Sequence, residues 1–132
     1  MLLVASSSFG APAAIDADTG LTFSRPITVE DHVRSYFSDT PVLAEIAECE
    51  SRFRHFDTQG KPLRGEKNRY DLGVMQINTL YHGNTAAELG YDLKNIGDNM
   101  AYARYLYEKE GTKPWKYSSR CWGNADQKNQ NG

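Results

Sequence analysis

The sequence predicts a mainly α-helical domain of the α+β type with a small β-hairpin lobe, and three observations support this. A length of 132 residues suits a single domain with one hydrophobic core. Apolar residues recur at helical spacing behind capping residues in several stretches. Between two such stretches, residues 56–69 are polar with Gly and Pro punctuation, and residues 70–78 turn apolar again, which is typical of a hairpin or irregular lobe.

The two ends of the chain are predicted to lie outside this domain. Residues 1–14 have a short apolar start and an Ala-Pro-Ala site, as at the end of a secretory signal peptide, although they contain no Lys or Arg. A disordered N-terminus is the alternative interpretation. Residues 15–27 show no periodicity and are interpreted as a linker, so the domain is predicted to span residues 28–122. Residues 123–132 are polar and are predicted to form a disordered tail.

Two helices are predicted at the start of the domain. The first begins with Thr28 as its N-terminal cap and ends near Ser38, with three apolar residues on one face: Val29, Val33 and Phe37. The second runs from Pro41 to Phe53. Thr40 is expected to cap it, and proline suits the first helical position because a backbone N–H has no partner there.

Glu50 lies on the apolar side of the second predicted helix. At about 100° per residue it lies about 20° from Leu43, on the stripe that also carries Ile46 and Ala47. A carboxyl group that faces an apolar interior favours its neutral form, which raises its pKa toward the range useful for a general acid. The alternative is a glutamate at the rim of the core that reaches water or pairs with an Arg.

The second half of the domain contains an amide-rich segment and two further helices. The segment Asp71–Asn78 combines Gly, Met, Gln and Asn, which permit close backbone approach and offer amide groups to a polar substrate. Thr85–Glu88 is a capping box closed by Gly90, which predicts a helix of little more than one turn. Asp98 is expected to cap the last major helix, which runs to Glu110.

Taken together, these motifs resemble a known superfamily. Glu50–Ser51, followed by Gly-Val-Met-Gln-Ile-Asn at residues 73–78, is similar to the soluble lytic transglycosylases and goose-type lysozymes, which act on peptidoglycan. Residues 99–107 and 114–122 also match, and the resemblance covers roughly residues 39–122. It implies a lysozyme-like fold in which the hairpin lobe borders a sugar-binding cleft.

The resemblance also implies roles for individual residues. Glu50 is the expected catalytic acid. The residues expected to bind the sugar and its acetamido group are Ser51, Met75, Gln76, Asn78 and Tyr102. Asp71 is a candidate second carboxylate, because goose-type hydrolases carry aspartates in the hairpin region.

Asn78 favours one of the two reactions known in this superfamily. Goose-type lysozymes carry an Asp just after Met-Gln-Ile, where this chain has Asn78. Glycosidases ordinarily use two carboxylates, but lytic transglycosylases dispense with the second. The sequence therefore predicts a lytic transglycosylase that cleaves the MurNAc–GlcNAc β-1,4 bond and forms 1,6-anhydro-MurNAc. The alternatives are a hydrolase in which Asp71 or Asp57 positions water, and a catalytically silent peptidoglycan-binding module.

The chain contains two cysteines, Cys49 and Cys121. In relatives that share the Cys-Glu-Ser and Cys-Trp patterns, these two residues are expected to form a disulfide. A disulfide favours an oxidising compartment, and therefore export to the periplasm, the cell wall or the extracellular space. The alternative is a pair of buried free thiols in a cytosolic protein.

Charge and composition argue against several classes of partner. A net charge of −2 gives no basic field for nucleic acid or an anionic membrane surface. No apolar run reaches the roughly 18 residues that predict a membrane span. His32 and His55 have no Cys or His at ligand spacing, so neither a metal nor another cofactor is expected. The expected partners are peptidoglycan glycan strands, bound by a monomer.

Overall fold

The computed structural model describes residues 14–15, 22–23 and 25–124. The first two pieces are short strands, Ala14–Ile15 (β1) and Thr22–Phe23 (β2), which pair antiparallel. They lie in the region predicted as a linker, except for Ala14, which ends the predicted N-terminal segment. Most of the predicted signal-peptide remnant, and residues 125–132 of the predicted tail, lie outside the described residues.

The rest of the described chain is mostly helical and includes a second small antiparallel sheet, as predicted. In chain order its elements are α1 (Val29–Tyr36), α2 (Pro41–Ser51), β3 (Asp71–Leu72), β4 (Ile77–Asn78), α3 (Thr79–Glu88), α4 (Ile96–Glu110) and a 3-10 helix (Lys113–Ser118) that continues as α-helix at residues 119–124. The β3–β4 hairpin pairs Asp71 with Asn78 and Leu72 with Ile77. None of the described helices is long and apolar enough to cross a membrane.

The predicted N-terminal cap of α1 is present, whereas the predicted cap of α2 is not. The Thr28 hydroxyl accepts the Asp31 N–H at 3.0 Å and the Asp31 carboxylate accepts the Thr28 N–H at 3.2 Å, so α1 begins with the expected cap. The expected side-chain cap of α2 is wrong, because Thr40 makes no such bond. Its hydroxyl donates instead to the carboxylate of Asp39 at 3.4 Å.

The starts of α3 and α4 lie before the predicted ones. Asn78 caps α3 by accepting the Tyr81 N–H at 3.0 Å, so Thr85 lies inside this helix instead of starting it. Asn95 caps α4 and accepts the Asp98 N–H at 3.0 Å, so Asp98 belongs to the first turn. In both cases an upstream asparagine reaches a backbone N–H three residues on, which is the ordinary geometry of an N-cap.

The core lies between α2, the β3–β4 hairpin and α4, and α1 and the 3-10 helix pack against α2. The predicted apolar stripe of α2 is confirmed as part of this core. Fully or almost fully buried residues include Val33, Phe37, Leu43, Ile46, Ala47, Val74, Met75, Ile77, Met100, Ala103, Leu106 and Trp115. The helix α2 therefore crosses the centre of the molecule and carries Glu50 in its last turn.

A disulfide between Cys49 and Cys121 joins α2 to the last helical segment. The two residues are 72 positions apart in the chain. Closing so long a loop in the unfolded chain stabilises the fold by about 4 kcal/mol on a chain-entropy estimate. The bridge fastens the C-terminal segment beside Glu50, the next residue after Cys49.

Candidate active site

The Glu50 side chain is partly buried at the end of the apolar stripe of α2. Burial penalises its charged form and raises the pKa of the carboxyl group. A hydrogen bond from Ser118 lowers the pKa and the negative charge of Asp71 raises it, with burial the largest of the three effects. The net direction is upward, as expected for a group that must carry a proton in order to donate it.

Ser118 contacts the Glu50 carboxylate from the 3-10 helix. The serine hydroxyl lies 2.6 Å from Glu50 Oε2 and 3.1 Å from the carbonyl oxygen of Trp115. The indole N–H of Trp122 donates to the same hydroxyl oxygen at 2.9 Å. The C-terminal segment thus supplies a hydroxyl group, itself held by a tryptophan, to one oxygen of the candidate acid.

Asp71 is the candidate second carboxylate. It stands opposite Asn78 in the hairpin, and the Asn78 amide donates to Asp71 Oδ1 at 3.2 Å. Burial raises the pKa of Asp71, and the bond from Asn78 lowers it. The charge of Asp71 also raises the pKa of Glu50, as the smallest of the three effects on that group. Asp71 and Asn78 are thus paired across the hairpin, and Asp71 acts electrostatically on Glu50.

The turn Gly73–Gln76 between β3 and β4 is held by the side chain of Asn99. Asn99 Oδ1 accepts the Met75 N–H at 2.9 Å, and its Nδ2 donates to the carbonyl oxygens of Leu72 at 3.0 Å and Leu93 at 2.9 Å. Asn99 is fully buried and its amide has three protein partners. One side chain thereby ties the hairpin turn to the start of α4.

His55 holds the same turn from the other side. Its Nδ1 accepts the Val74 N–H at 3.0 Å, so the ring proton lies on Nε2, which donates to the carbonyl oxygen of Lys94 at 2.7 Å. Burial lowers the pKa of His55, with the Lys94 bond opposing it. The neutral ring fits this arrangement, because a proton on Nδ1 would face the Val74 N–H. The histidine is therefore a structural clamp.

The turn requires a glycine at position 73. Gly73 has φ +79°, and a Cβ atom there would lie 2.5 Å from Asn99 Nδ2 and 2.6 Å from His55 Cε1. The close approach predicted for this glycine is therefore made to the protein's own side chains. On the far side of the turn, Trp115 Nε1 donates to the carbonyl oxygen of Met75 at 2.9 Å. The hairpin turn and the segment that carries Ser118 are thus directly connected.

Two of the residues expected to bind sugar are buried. The Ser51 hydroxyl donates to the carbonyl oxygen of Ala47 at 3.0 Å and accepts the Arg54 N–H at 3.2 Å, which closes the end of α2. The Met75 side chain is fully buried in the core. Both residues neighbour the site, but neither side chain is exposed to a ligand.

Two more residues expected to bind sugar, Gln76 and Tyr102, lie in different places: Gln76 in the hairpin turn and Tyr102 beside His82. Gln76 is partly buried at φ +50°, and its side-chain amide donates to the carbonyl oxygen of Gly73 at 2.9 Å. Tyr102 is buried in α4, where its hydroxyl lies 3.2 Å from His82 Nδ1 and its ring packs against Tyr91 and Tyr105. Within the described chain, the partner of the Tyr102 hydroxyl is thus His82 and not Glu50.

No pattern in the sequence points to a site role for Ser118, Trp122 or Asn99. Residues 114–122 belong to a motif of the superfamily resemblance, but nothing in their spacing points to Glu50. The signal that could have located Ser118 is the expected disulfide, since Cys121 lies one helical turn beyond it and the partner cysteine adjoins Glu50. Asn99 had no comparable signal, because its partners lie elsewhere in the chain.

Positive charge is concentrated in the two segments beside the site. Residues 52–69 contain six Lys or Arg and two Asp or Glu, and residues 111–124 contain three Lys or Arg and no acidic residue. The first segment leads from Glu50 to Asp71, and the second carries Ser118. Among the described residues, the ion pairs involve Arg25, Arg34 and Arg104, which lie outside both segments. These two segments are therefore basic although the net charge of the chain is −2.

The described residues contain no group of three or more His, Cys, Asp or Glu side chains placed to hold a metal ion. Comparisons with protein-family models, with curated proteins and with solved structures found no match. What the site can do follows from its own geometry. A partly buried carboxyl group with a raised pKa, one hydroxyl donor and a second carboxylate nearby can deliver a proton and take one back.

Proposed function

We propose that this chain is a peptidoglycan lytic transglycosylase, with Glu50 as its general acid and base. The observation that carries the proposal is the environment of the Glu50 carboxyl group. Its carboxyl group ends an apolar helix face, burial raises its pKa, and Ser118 binds one of its two oxygens. These are properties of a carboxylic acid that protonates a leaving group. The disulfide is in keeping with work outside the cytosol.

Glu50 acts twice in the reaction, first giving one proton and then accepting another. It gives its proton to the glycosidic oxygen as the bond from that oxygen to the anomeric carbon breaks and the N-acetyl carbonyl oxygen bonds to the anomeric carbon. The Glu50 carboxylate then takes the proton of the muramoyl C6 hydroxyl, whose oxygen bonds to the anomeric carbon, displaces the N-acetyl oxygen and closes the 1,6-anhydro ring. An internal hydroxyl has an effective concentration of roughly 10⁵–10⁸ M, so no second carboxylate is needed to activate water.

Asp71 has a supporting role in this reaction. Its charge raises the pKa of Glu50 and so favours the protonated acid before cleavage. Asn78 holds the Asp71 carboxylate by a hydrogen bond across the hairpin. The neutral Asn78 amide adds no third charge to the site.

A lysozyme-like hydrolase is the second candidate, and the electrostatic effect of Asp71 on Glu50 favours it. Two carboxylates flanking the scissile bond are the usual equipment of glycoside hydrolases. In that reaction Asp71 would position or activate a water molecule on the sugar face opposite Glu50. The product would then keep a reducing end.

Mass analysis of digested sacculi distinguishes the two reactions. We expect muropeptides that end in 1,6-anhydro-muramic acid, which are one water lighter than lysozyme products and resist borohydride reduction. Products dominated by borohydride-reducible ends would show hydrolysis, and would make Asp71 the second catalytic carboxylate.

Replacement of the acid tests the assignment itself. Glu50→Gln is isosteric and should keep the fold but reduce sacculus cleavage by at least about a hundredfold. Glu48→Gln is the matched control, because Glu48 lies on the exposed side of the same helix, and it should cleave normally. Cleavage by Glu50→Gln above about a hundredth of the wild-type rate would refute the role of Glu50. A wild-type chain that binds sacculi and leaves them uncut would be a silent binding module.

A further inference from the structure

We infer that Ser118, held by Trp122, is a positioning residue that fixes the Glu50 carboxyl group through Oε2 and directs the transferable proton to Oε1. The inference rests on the proposed role of Glu50 as the acid. The hydrogen bonds that support it are properties of the fold and can be measured without any substrate.

The directions of these hydrogen bonds follow from the chemistry of the groups. An indole nitrogen is a donor only, so the Ser118 oxygen accepts from Trp122 Nε1 at 2.9 Å. The serine hydroxyl has one hydrogen to give. Its two acceptors are Glu50 Oε2 at 2.6 Å and the carbonyl oxygen of Trp115 at 3.1 Å. The carboxylate is closer and charged, so the hydrogen points to Glu50.

This bond separates the two oxygens of the Glu50 carboxyl group. A proton on Oε2 would face the Ser118 hydrogen and force the hydroxyl to turn toward Trp115. A proton on Oε1 leaves the Ser118 bond intact in both protonation states. Within the described residues no hydrogen bond is made to Oε1, so this oxygen is available to the leaving-group oxygen.

The same bond limits how far the pKa of Glu50 rises. Burial and the charge of Asp71 favour the protonated form, whereas donation from Ser118 favours the carboxylate. A residue that gives a proton and then recovers one must populate both forms. Ser118 supplies the opposing influence that keeps the carboxylate accessible.

The position of Ser118 is itself fixed at both ends of its segment. Before it, Trp115 is buried and donates to the carbonyl oxygen of Met75. After it, Cys121 is bonded to Cys49. The hydroxyl is therefore presented to the acid by a segment anchored to the hairpin turn and to α2, which is the arrangement expected of a positioning residue.

The test compares Ser118→Ala with Ser119→Ala, an exposed neighbour and matched control. Titration of the ¹³C-labelled Glu50 carboxyl by NMR reports its pKa directly, and the pH dependence of kcat/KM reports it in turnover. Removing the donor from the carboxylate should raise the pKa of Glu50 in Ser118→Ala. Because the general acid must be protonated, activity falls as pH rises through this pKa, and the alkaline limb should move to higher pH. Loss of positioning should lower kcat by roughly ten- to a hundredfold.

Two further variants keep the test decisive if Ser118→Ala fails to fold. Trp122→Phe retains a ring and removes the N–H, which should weaken donation by Ser118 and shift the Glu50 pKa in the same direction by less. Ser118→Thr retains the hydroxyl and should titrate like the wild type. A Glu50 pKa unchanged in both Ser118→Ala and Trp122→Phe, or shifted equally in Ser119→Ala, would overturn the inference. If the Glu50 pKa is raised in Ser118→Ala but the wild-type chain cuts no sacculi, the inference is upheld and the proposed function is refuted.

Discussion

At the scale of single residues, Asn99 does more for the hairpin turn than any side chain identified from the sequence. Its amide satisfies the Met75 N–H and the carbonyl oxygens of Leu72 and Leu93, all in a fully buried position. An unpaired polar group in such a position costs about 1–3 kcal/mol. The geometry of the turn that carries Gln76 therefore depends on one residue of α4.

Replacing this amide should destabilise the protein strongly. Asn99→Ala removes one hydrogen bond from each of three backbone groups, so we expect a loss of about 3 kcal/mol in the free energy of unfolding. Urea denaturation monitored by circular dichroism measures it. Asn84→Ala, at an exposed position of α3, should change stability by less than about 0.5 kcal/mol. A similar loss in both variants would show that the Asn99 bonds contribute little.

Residues of the site differ in how far sequence could identify them. Glu50 could be identified because it is a charged residue on the apolar stripe of a single helix, and the 3.6-residue period of that helix is visible in the local sequence. Ser118 lies 68 positions from Glu50, and Asn99 lies 24 positions from Met75. Contacts of that separation leave no local pattern, so these residues emerge only from the folded chain.

At the scale of elements, local sequence predicted the helices α1 to α4 and the starts of α1 and α2, but it did not predict the starts of α3 and α4. Two capping candidates stand before α4, Asn95 and Asp98, and local sequence does not rank them. In the fold, the Asp98 carboxylate accepts the Asp92 N–H at 2.9 Å, while Asn95 caps the helix. Because Asp98 has this other partner, Asn95 caps α4, and the helix begins earlier than predicted.

Alanine substitutions at two glycines should have opposite effects on stability, because only one of these positions requires a glycine. Gly73→Ala should destabilise the protein by about 2 kcal/mol or more, because φ is +79° and the new Cβ would meet Asn99 and His55. Gly83→Ala lies within α3 with no atom within 4 Å of the new Cβ, and should stabilise by about 0.5–1 kcal/mol. Thermal or urea unfolding of the two variants gives both signs. Equal shifts in one direction would contradict this interpretation of the turn.

At the scale of the whole molecule, the mainly helical class and the small hairpin could be predicted because both are written in local patterns. The disulfide was expected only through resemblance, and the structure contains it. The distribution of charge was not predicted. A net charge of −2 led to the expectation of no basic field, yet the two segments beside Glu50 are basic and most of the acidic residues lie elsewhere in the chain. Total charge does not report how charges are placed.

Under the proposed function, this placement predicts that salt should weaken the binding of peptidoglycan. Peptidoglycan carries carboxylates on its peptide stems, and exposed Arg64 and Lys67 lie in the basic segment between Glu50 and Asp71. Attraction between exposed charges is screened over about 10 Å at 0.1 M salt and about 3 Å at 1 M. Binding of the uncleaving Glu50→Gln variant to sacculi should therefore weaken severalfold as salt rises across that range.

Charge reversal tests whether the basic segment between Glu50 and Asp71 causes the salt-dependent binding. Arg64→Glu combined with Lys67→Glu, made in the Glu50→Gln background, should weaken binding at low salt and flatten its salt dependence. Lys109→Glu, in the last turn of α4 and outside both basic segments, is the control and should bind like the parent. Binding is measured by co-sedimentation with sacculi, and neutral chitooligosaccharides should show no salt dependence because they carry no carboxylate. If the control weakens binding as much as the double variant, the attraction comes from the whole surface and the basic segments do not contact the glycan.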